Sequence, residues 1–439
     1  MKKILIVSRY FAPENVIGAV RATKLAKYLK KDHGCEITVL TTSEIFQNVD
    51  PIGMKNLKYV DHLIKSGSGQ VTNCLERFYE FRKRNRKIGG RTADDNMIDG
   101  EKGIAQKIMW SLNEIQRVMK SKSDAKEAYR ALVKNSKCDF DTVISTFSPH
   151  TDHYIARKYK KAHPECKWIA DFRDAPVDKN LSLMLPSIVG SAFTRTIVSR
   201  ADEIVGISGG VLFDMCCSDR SNSHVITNGY DAEDIAGIPA SKPTEFIITY
   251  TGGIYHNRQD LSVLFWALKD LTETGAIDKD HVSVKYLGKN FGAMLRAAQT
   301  AGMEDMAKDC GYVDRRSSLK AQLDSSILLL AAWNTRGCTS GMMTGKFLEY
   351  MAAQRPIVAI ISGDIPDSAI KKTIDACNIG FCYEQVTAER SFSELKNYIE
   401  KQYNAFLRDG KTIYEPNNEE LEKYSYSSIS DEFYKLIDD

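Results

Sequence analysis

Three stretches of this chain combine residue types suited to a charged, phosphate-bearing ligand. The first is Tyr250-Thr251-Gly252-Gly253-Ile254-Tyr255-His256-Asn257-Arg258. Two glycines directly after an apolar run let a backbone approach a phosphate closely, and Arg258 offers paired donors for a diphosphate. A plain turn beside a solvated arginine fits the same pattern. The second runs from Gly341 to Ala353 and includes Thr344-Gly345-Lys346-Phe347-Leu348-Glu349-Tyr350-Met351. On a helix, Phe347, Tyr350 and Met351 share a face suited to a core, while Lys346 and Glu349 lie three apart on another, near the helix start. Such a pair is usually a surface ion pair of little worth; the glycine-containing loop before it, at the end of a buried strand, weighs toward ligand contact. The third is the loop Phe11–Ala19, where Gly18 stands just before a helix whose free N–H groups suit an anion. It is not G-x-G-x-x-G, so the dinucleotide fingerprint is absent, and simple chain turning explains it equally.

Two histidines, His150 and His153, flank Thr151-Asp152 just past the run Val143–Thr146. A histidine near a strand end is more often structural than catalytic. Asp139-Phe140-Asp141 is formally a D-x-D metal motif, but it precedes a strand instead of ending one. Both carboxylates are therefore expected at the edge of the sheet away from ligand, and no metal site is expected.

These candidates need a scaffold. Ile4-Leu5-Ile6-Val7 is a continuous apolar run of the kind buried on both faces of a parallel sheet. Val20 to Leu29 places Leu25, Tyr28 and Leu29 on one helical face, and Glu36–Thr41 reads as a second strand. Strand, loop, helix, strand within about forty residues is a βαβ unit and implies a parallel sheet. Residues from about 50 to 130 interrupt the alternation; they are polar and charged, and read as a helical insertion. Alternation resumes at Thr142–Thr146, Lys167–Asp171 and Glu203–Ile207, and Val225–Gly229 closes the half. Ala236–Thr244, with Gly237, Pro239 and Pro243, reads as a linker. A second series follows with strands at Phe246–Tyr250, Val282–Leu287, Ile327–Leu330 and Pro356–Ile360. The expected architecture is α/β, two Rossmann-like domains.

Composition excludes several classes. The chain has 439 residues, 43% hydrophobic and 27% charged, with 60 Lys and Arg against 57 Asp and Glu. A formal charge of +3 gives no support to a nucleic-acid binder. No apolar run approaches the roughly 18–20 residues of a membrane-spanning helix, and the opening residues read as a buried strand, not a signal peptide. The ten cysteines are scattered without C-x-x-C or a Cys/His cluster, which suits reduced thiols and a cytosolic setting.

Taken together, the motifs resemble the large retaining GT-B glycosyltransferase family, and within it the bacterial polysaccharide-type members (family 4-like, group 1). The resemblance rests on Ser148-Pro149-His150, Asp171-Phe172-Arg173-Asp174 and Lys346-Phe347-Leu348-Glu349-Tyr350-Met351-Ala352, in the family's order, and covers most of the chain outside residues 50–130. It implies two Rossmann-like domains facing a central cleft: an acceptor-side domain over 1–240, a nucleotide-sugar domain over 245–415, and a helix over 416–439 crossing back. It also implies sugar transfer from a nucleotide diphosphate sugar to a hydroxyl acceptor with retention, in cell-surface polysaccharide or glycolipid synthesis, with no cofactor. By the same resemblance Glu349 binds the donor ribose. Gly18, Gly252, Gly253, Arg258, Thr344, Gly345 and Lys346 surround the donor phosphates, and Tyr312 and Val313 lie in the turn Cys310–Val313 that reads the base. His150 reaches the donor sugar and, with Glu349, is the catalytic candidate; His153, Asp171 and Arg173 fall on the acceptor side or carry no assigned role. Gly341 departs from the family, whose E-x7-E motif places a sugar-contacting Glu there. A nucleotide-sugar epimerase on the same fold and a non-catalytic donor-binding member of an assembly complex are the alternatives. The acceptor is open, with a lipid-linked one among the options. The basic, aromatic stretch 75–91 adds an expectation of peripheral contact with an anionic membrane surface, against a charged face solvated on a packed helix.

Overall fold

The computed structural model describes residues 1–42, 49–75, 77, 104–176, 184–255, 258–335 and 343–438. They form two compact units, one of Met1–Ile226 with Ser430–Asp439, the other of Thr227–Ile429. The division thus falls before the Pro- and Gly-containing stretch 236–244, and the helix Tyr426–Asp438 is shared between the units, its last turns belonging to the first.

The first unit holds a seven-stranded parallel sheet: β1 Lys3–Val7, β2 Glu36–Thr42, β3 His62–Ser66, β4 Thr142–Phe147, β5 Lys167–Phe172, β6 Glu203–Gly206 and β7 Ser223–Val225, in spatial order 3-2-1-4-5-6-7. Ile6 aligns with Val39 on one side and Ile144 on the other. Ile4 to Val7 are sealed from solvent, as expected for strands covered by helices on both faces. The order reverses between β1 and β4, the place where open α/β sheets bind ligands at their carboxyl ends.

One expectation needs correction. The segment 50–130 is not simply a helical insertion, because it supplies β3, which pairs with β2 from Thr38↔His62 to Thr42↔Ser66. Only Ile64 and Ser66 of β3 are buried. An edge strand of such polar composition carries little periodic signal. The helix Ile104–Asn135 follows, setting Ala125, Ala128 and Leu132 into the core at spacings of three and four. The basic run 82–87, and most of the stretch 75–91 on which membrane contact was expected, lie outside the described residues. Among the described residues, no helix is long and apolar enough to cross a membrane.

The second unit repeats the plan with six parallel strands: β8 Phe246–Thr251, β9 Val282–Leu287, β10 Ala307–Asp309, β11 Ile327–Trp333, β12 Ile357–Ser362 and β13 Gly380–Glu384, in order 10-9-8-11-12-13. Its switch point lies between β8 and β11. There the two strands pair only over Ile327↔Ile248 and Leu328↔Thr249, whereas β8 and β9 pair over six residues. β8 and β11 therefore part toward their carboxyl ends. The hydroxyl of Tyr350 accepts a hydrogen bond from Thr251 N (2.9 Å), and Gln259 Nε2 donates to Ala331 O (2.8 Å), replacing ladder bonds where the strands diverge.

Candidate functional site

In the second unit the site is built at this opening. After β8 the chain turns through Gly252, whose φ of +90° only glycine adopts without strain. A Cβ there would also lie 2.8 Å from Lys346 Cε. The helix Gly345–Ala353 starts opposite, capped by Thr344, whose side chain accepts from Phe347 N. From its first turn Lys346 reaches over the glycine turn. Its Nζ donates to Gly253 O at 2.6 Å and to Tyr250 Oη at 2.8 Å, and lies 4.5 Å from the centre of the Tyr250 ring. Burial lowers its pKa to about 8, an effect partly offset by the Glu349 charge. Among the described residues no ion pair joins Lys346 to Glu349, so the surface pair that their spacing allows does not form. Glycine turn, amine and helix N-terminus thus concentrate positive potential at one place.

Glu349, one turn further along, is held instead by Arg315, the first residue of the helix Arg315–Leu323. Arg315 Nε lies 3.4 Å from Glu349 Oε1, and Arg315 Nη2 lies 2.9 Å from Asp234 Oδ2. Burial pushes the Glu349 carboxyl above its usual range, while Arg315 and the amide of Gln322 pull it down. Arg258 is exposed and lies over the Trp333 ring at 5.5 Å, at the end of β11; Tyr255 packs edge-on against the same ring. Beyond β10, Gly311 O accepts from Gly288 N (2.9 Å), joining the turns after β9 and β10. Here Tyr312 is 58% exposed, with Lys289 Nζ 4.7 Å from its ring centre, and Val313 is half-buried. An exposed aromatic ring beside a cation is a surface on which a heterocycle can stack. The candidate residues of this unit therefore gather at the carboxyl ends of β8–β11, except that His256, Asn257, Gly341 and Met342 lie outside the described residues.

In the first unit Arg173 is the organiser. It donates to Gly18 O (2.7 Å), Phe147 O (3.1 Å) and Ser148 O (2.6 Å), tying the helix after β1 to the end of β4. Gly18 lies within the first turn of that helix, Ile17–His33, and not just before it as expected. A Cβ on Gly18 would come 2.6 Å from Arg173 Nη1. The glycine is thus explained within the unit, by the guanidinium packed against it. His150 opens the helix His150–Ala162 and is 1% exposed, its ring 4.2 Å from Phe193 and 5.1 Å from Phe147. Burial, helped by Arg117, lowers its pKa to about 3, so the imidazole is neutral at pH 7, and among the described residues Nε2 has no hydrogen-bond partner. His153 lies deeper, with Nδ1 2.7 Å from Ser145 Oγ, which also accepts from Trp168 Nε1 at 2.8 Å. That chain makes His153 part of the core's polar wiring. Asp171 is 1% exposed and takes Arg21 bidentately, with contacts of 2.9 Å from Nε and 2.8 Å from Nη2. Its carboxylate is spent on the Arg21 clamp.

Asp139 pairs with the Lys3 amine and Asp141 Oδ2 accepts from Lys3 N (2.7 Å) at the amino end of β1, far along the strand from the ligand end. Among the described residues, no cluster of three His, Cys, Asp or Glu could hold a metal ion.

Sequence reasoning missed Arg315, Tyr350 as a backbone partner, and Trp333. Arg315 sits in a polar helix with no apolar period to mark it, and Tyr350 reads as core because its ring is core.

No family model matches the chain, and no curated protein does. Solved structures do share its fold. A sucrose-phosphate synthase from Thermosynechococcus elongatus matches with a TM-score of 0.56 at 12% identity, over 99% of this chain and 98% of that one. The lipopolysaccharide outer core galactosyltransferase WaaB, in its apo form, matches at 0.53 and 12%, over 100% and 99%. A trehalose-6-phosphate protein from E. coli bound with UDP-2-fluoro glucose matches at 0.59 and 12%, over 99% of each chain. At such identities these likenesses establish the fold, which is GT-B: two Rossmann-like units, each with the same reversal of strand order.

Proposed function

We propose that this chain is a retaining glycosyltransferase that moves a sugar from a nucleotide diphosphate sugar to a hydroxyl acceptor, in the synthesis of a cell-surface polysaccharide or glycolipid. One observation carries the reading: the Gly252–Gly253 turn, the Lys346 amine and the N-terminus of the helix Gly345–Ala353 converge where β8 and β11 part, with Glu349 one turn away. Departure of a diphosphate leaves negative charge on the leaving group and positive charge on the sugar. Lys346, the helix N-terminus and, from the rim, Arg258 meet the first demand with groups oriented before reaction. In this reading they hold the diphosphate without a cofactor. Glu349 accepts from the ribose hydroxyls, and Tyr312 with Val313 lies along the base. Neutral His150 serves as a hydrogen-bonding group for the sugar and not as a proton donor, because its imidazole stays uncharged far below pH 7. The first unit carries the acceptor side, with Arg173 shaping the loops there.

Support also comes from the names of proteins that share the fold, one a galactosyltransferase and one holding a UDP-sugar analogue. The test begins with a thermal-shift screen of nucleoside diphosphates, followed by turnover of the sugar donors that carry the preferred base. Stabilisation by one diphosphate, and loss of sugar from its donor only when an acceptor extract is added, is expected. Binding without turnover in any extract would leave a donor-binding protein and end the transferase reading. A new sugar nucleotide formed without acceptor would replace it with epimerisation.

A further inference from the structure

Glu349 sits where three elements meet. It lies on the helix Gly345–Ala353, Arg315 on the helix Arg315–Leu323, and Asp234 on the short turn Ala232–Asp234. The contacts run in series, Asp234 to Arg315 at 2.9 Å and Arg315 to Glu349 at 3.4 Å, and the Arg315 and Asp234 side chains are 14% and 10% exposed. A charge placed this deep persists only with partners. A carboxylate offers about four acceptor positions. Arg315 Nε meets Oε1 and the Gln322 amide also hydrogen-bonds the group, so about two positions are left for the hydroxyls of a diol.

We propose that Arg315 is a positioning residue, held by Asp234, that keeps the Glu349 carboxylate in the orientation a ribose diol requires. The inference rests on the donor reading above and adds a residue to it. Arg315 does not itself touch the donor. A guanidinium is planar and binds through a fixed fork, so it can hold two carboxylates at a set angle, which an ammonium cannot. Glu349 without it would be a half-buried carboxyl left to the Gln322 amide alone and inclined to take up a proton.

The test compares UDP and GDP with their 2′,3′-dideoxy forms by calorimetry on the full chain. In the unaltered protein, loss of the hydroxyls should weaken binding roughly ten- to a hundredfold, the range for hydrogen bonds to a charged group. Arg315→Gln should collapse that ratio to within about threefold, as should Glu349→Gln, and the double variant should show no further loss because both act through one contact. Affinity for the dideoxy forms should stay within about threefold throughout. Arg315→Lys should fall between, and it serves as the readout if the Gln variant does not fold. If Arg315→Gln weakens diol and dideoxy ligands equally, or leaves the ratio intact, Arg315 is a scaffold residue and the inference fails. If the unaltered protein binds neither of these nor any other nucleoside diphosphate of the thermal-shift screen, the donor reading fails first and carries the inference with it. These two failures are therefore distinguishable.

Discussion

Replacing Lys346 with Met separates electrostatics from packing, because the methionine chain can follow the lysine stem across the glycine turn. The folded-state pKa of Lys346 is lowered from 10.5 to about 8 by burial. The sign follows: the charged amine costs the folded state, fully below about pH 8, and the cost vanishes as pH rises to the unfolded value. Full conversion of that shift gives about 3 kcal/mol, which partial solvent access reduces to about 1–2 kcal/mol. The variant escapes this cost but loses the bonds to Tyr250 Oη and Gly253 O, about 1 kcal/mol each. The ligand-free variant should thus unfold in urea at pH 7 within about 1 kcal/mol of the unaltered protein. Binding should behave differently. Removing one charge-assisted contact to a diphosphate costs about 1.5–3 kcal/mol, or roughly ten- to a hundredfold in Kd. In the unaltered protein, affinity for the preferred nucleoside diphosphate should also fall as pH rises through 8, while the variant stays flat from pH 7 to 9. Calorimetric titrations over that range measure both. A flat profile in the unaltered protein, or undiminished affinity in the variant, would refute the assignment of Lys346 to the diphosphate.

Three further predictions follow from the first unit. Gly18→Ala places a methyl 2.6 Å from Arg173 Nη1 and should cost about 1–3 kcal/mol by urea denaturation, with much of that loss relieved in the double variant Gly18→Ala, Arg173→Ala. Asp171→Asn removes the charge that faces the buried Arg21 guanidinium, which keeps its bond to Ile226 O, and should destabilise by about 3–5 kcal/mol; a loss below about 1 kcal/mol would mean the pair relaxes into solvent. His150→Phe keeps the aromatic packing against Phe147 and Phe193 while removing the titration. The His150 pKa is depressed to about 3, so the folded state resists protonation, and stability is complete above about pH 6.5 and lost as pH falls toward 3. The variant should therefore lose less stability than the unaltered protein between pH 7 and 4.5, and its turnover should drop far more than its donor affinity. Equal losses would make His150 a binding residue only.

The sequence by itself determined the layered α/β plan. Runs such as Ile4–Val7, Phe246–Tyr250 and Ile327–Leu330 are apolar on both sides of the chain, and only a parallel sheet covered on both faces buries them. It also marked the glycine turn after β8 and the Lys346–Glu349 segment, because glycine and charge at a strand end are local signals. It did not reveal β3, an edge strand with one buried apolar residue, nor β10 and β13, which are short or lie at the sheet's margin. Tertiary structure alone decided the partners. Lys346 and Glu349 are three residues apart, yet one bonds back to Gly253 and the other to Arg315, since desolvation favours whichever groups the neighbouring elements bring within reach. Asp171 and Arg173, two residues apart, diverge in the same way, because β5 ends at Phe172 and Arg173 leaves the chain beyond the strand, where the two-residue alternation no longer sets its direction. Asp171 is drawn to the buried Arg21, a partner 150 positions away, while Arg173 gathers the carbonyls of Gly18, Phe147 and Ser148. Spacing along the chain sets which face a side chain leaves by; what waits on that face is a property of the fold.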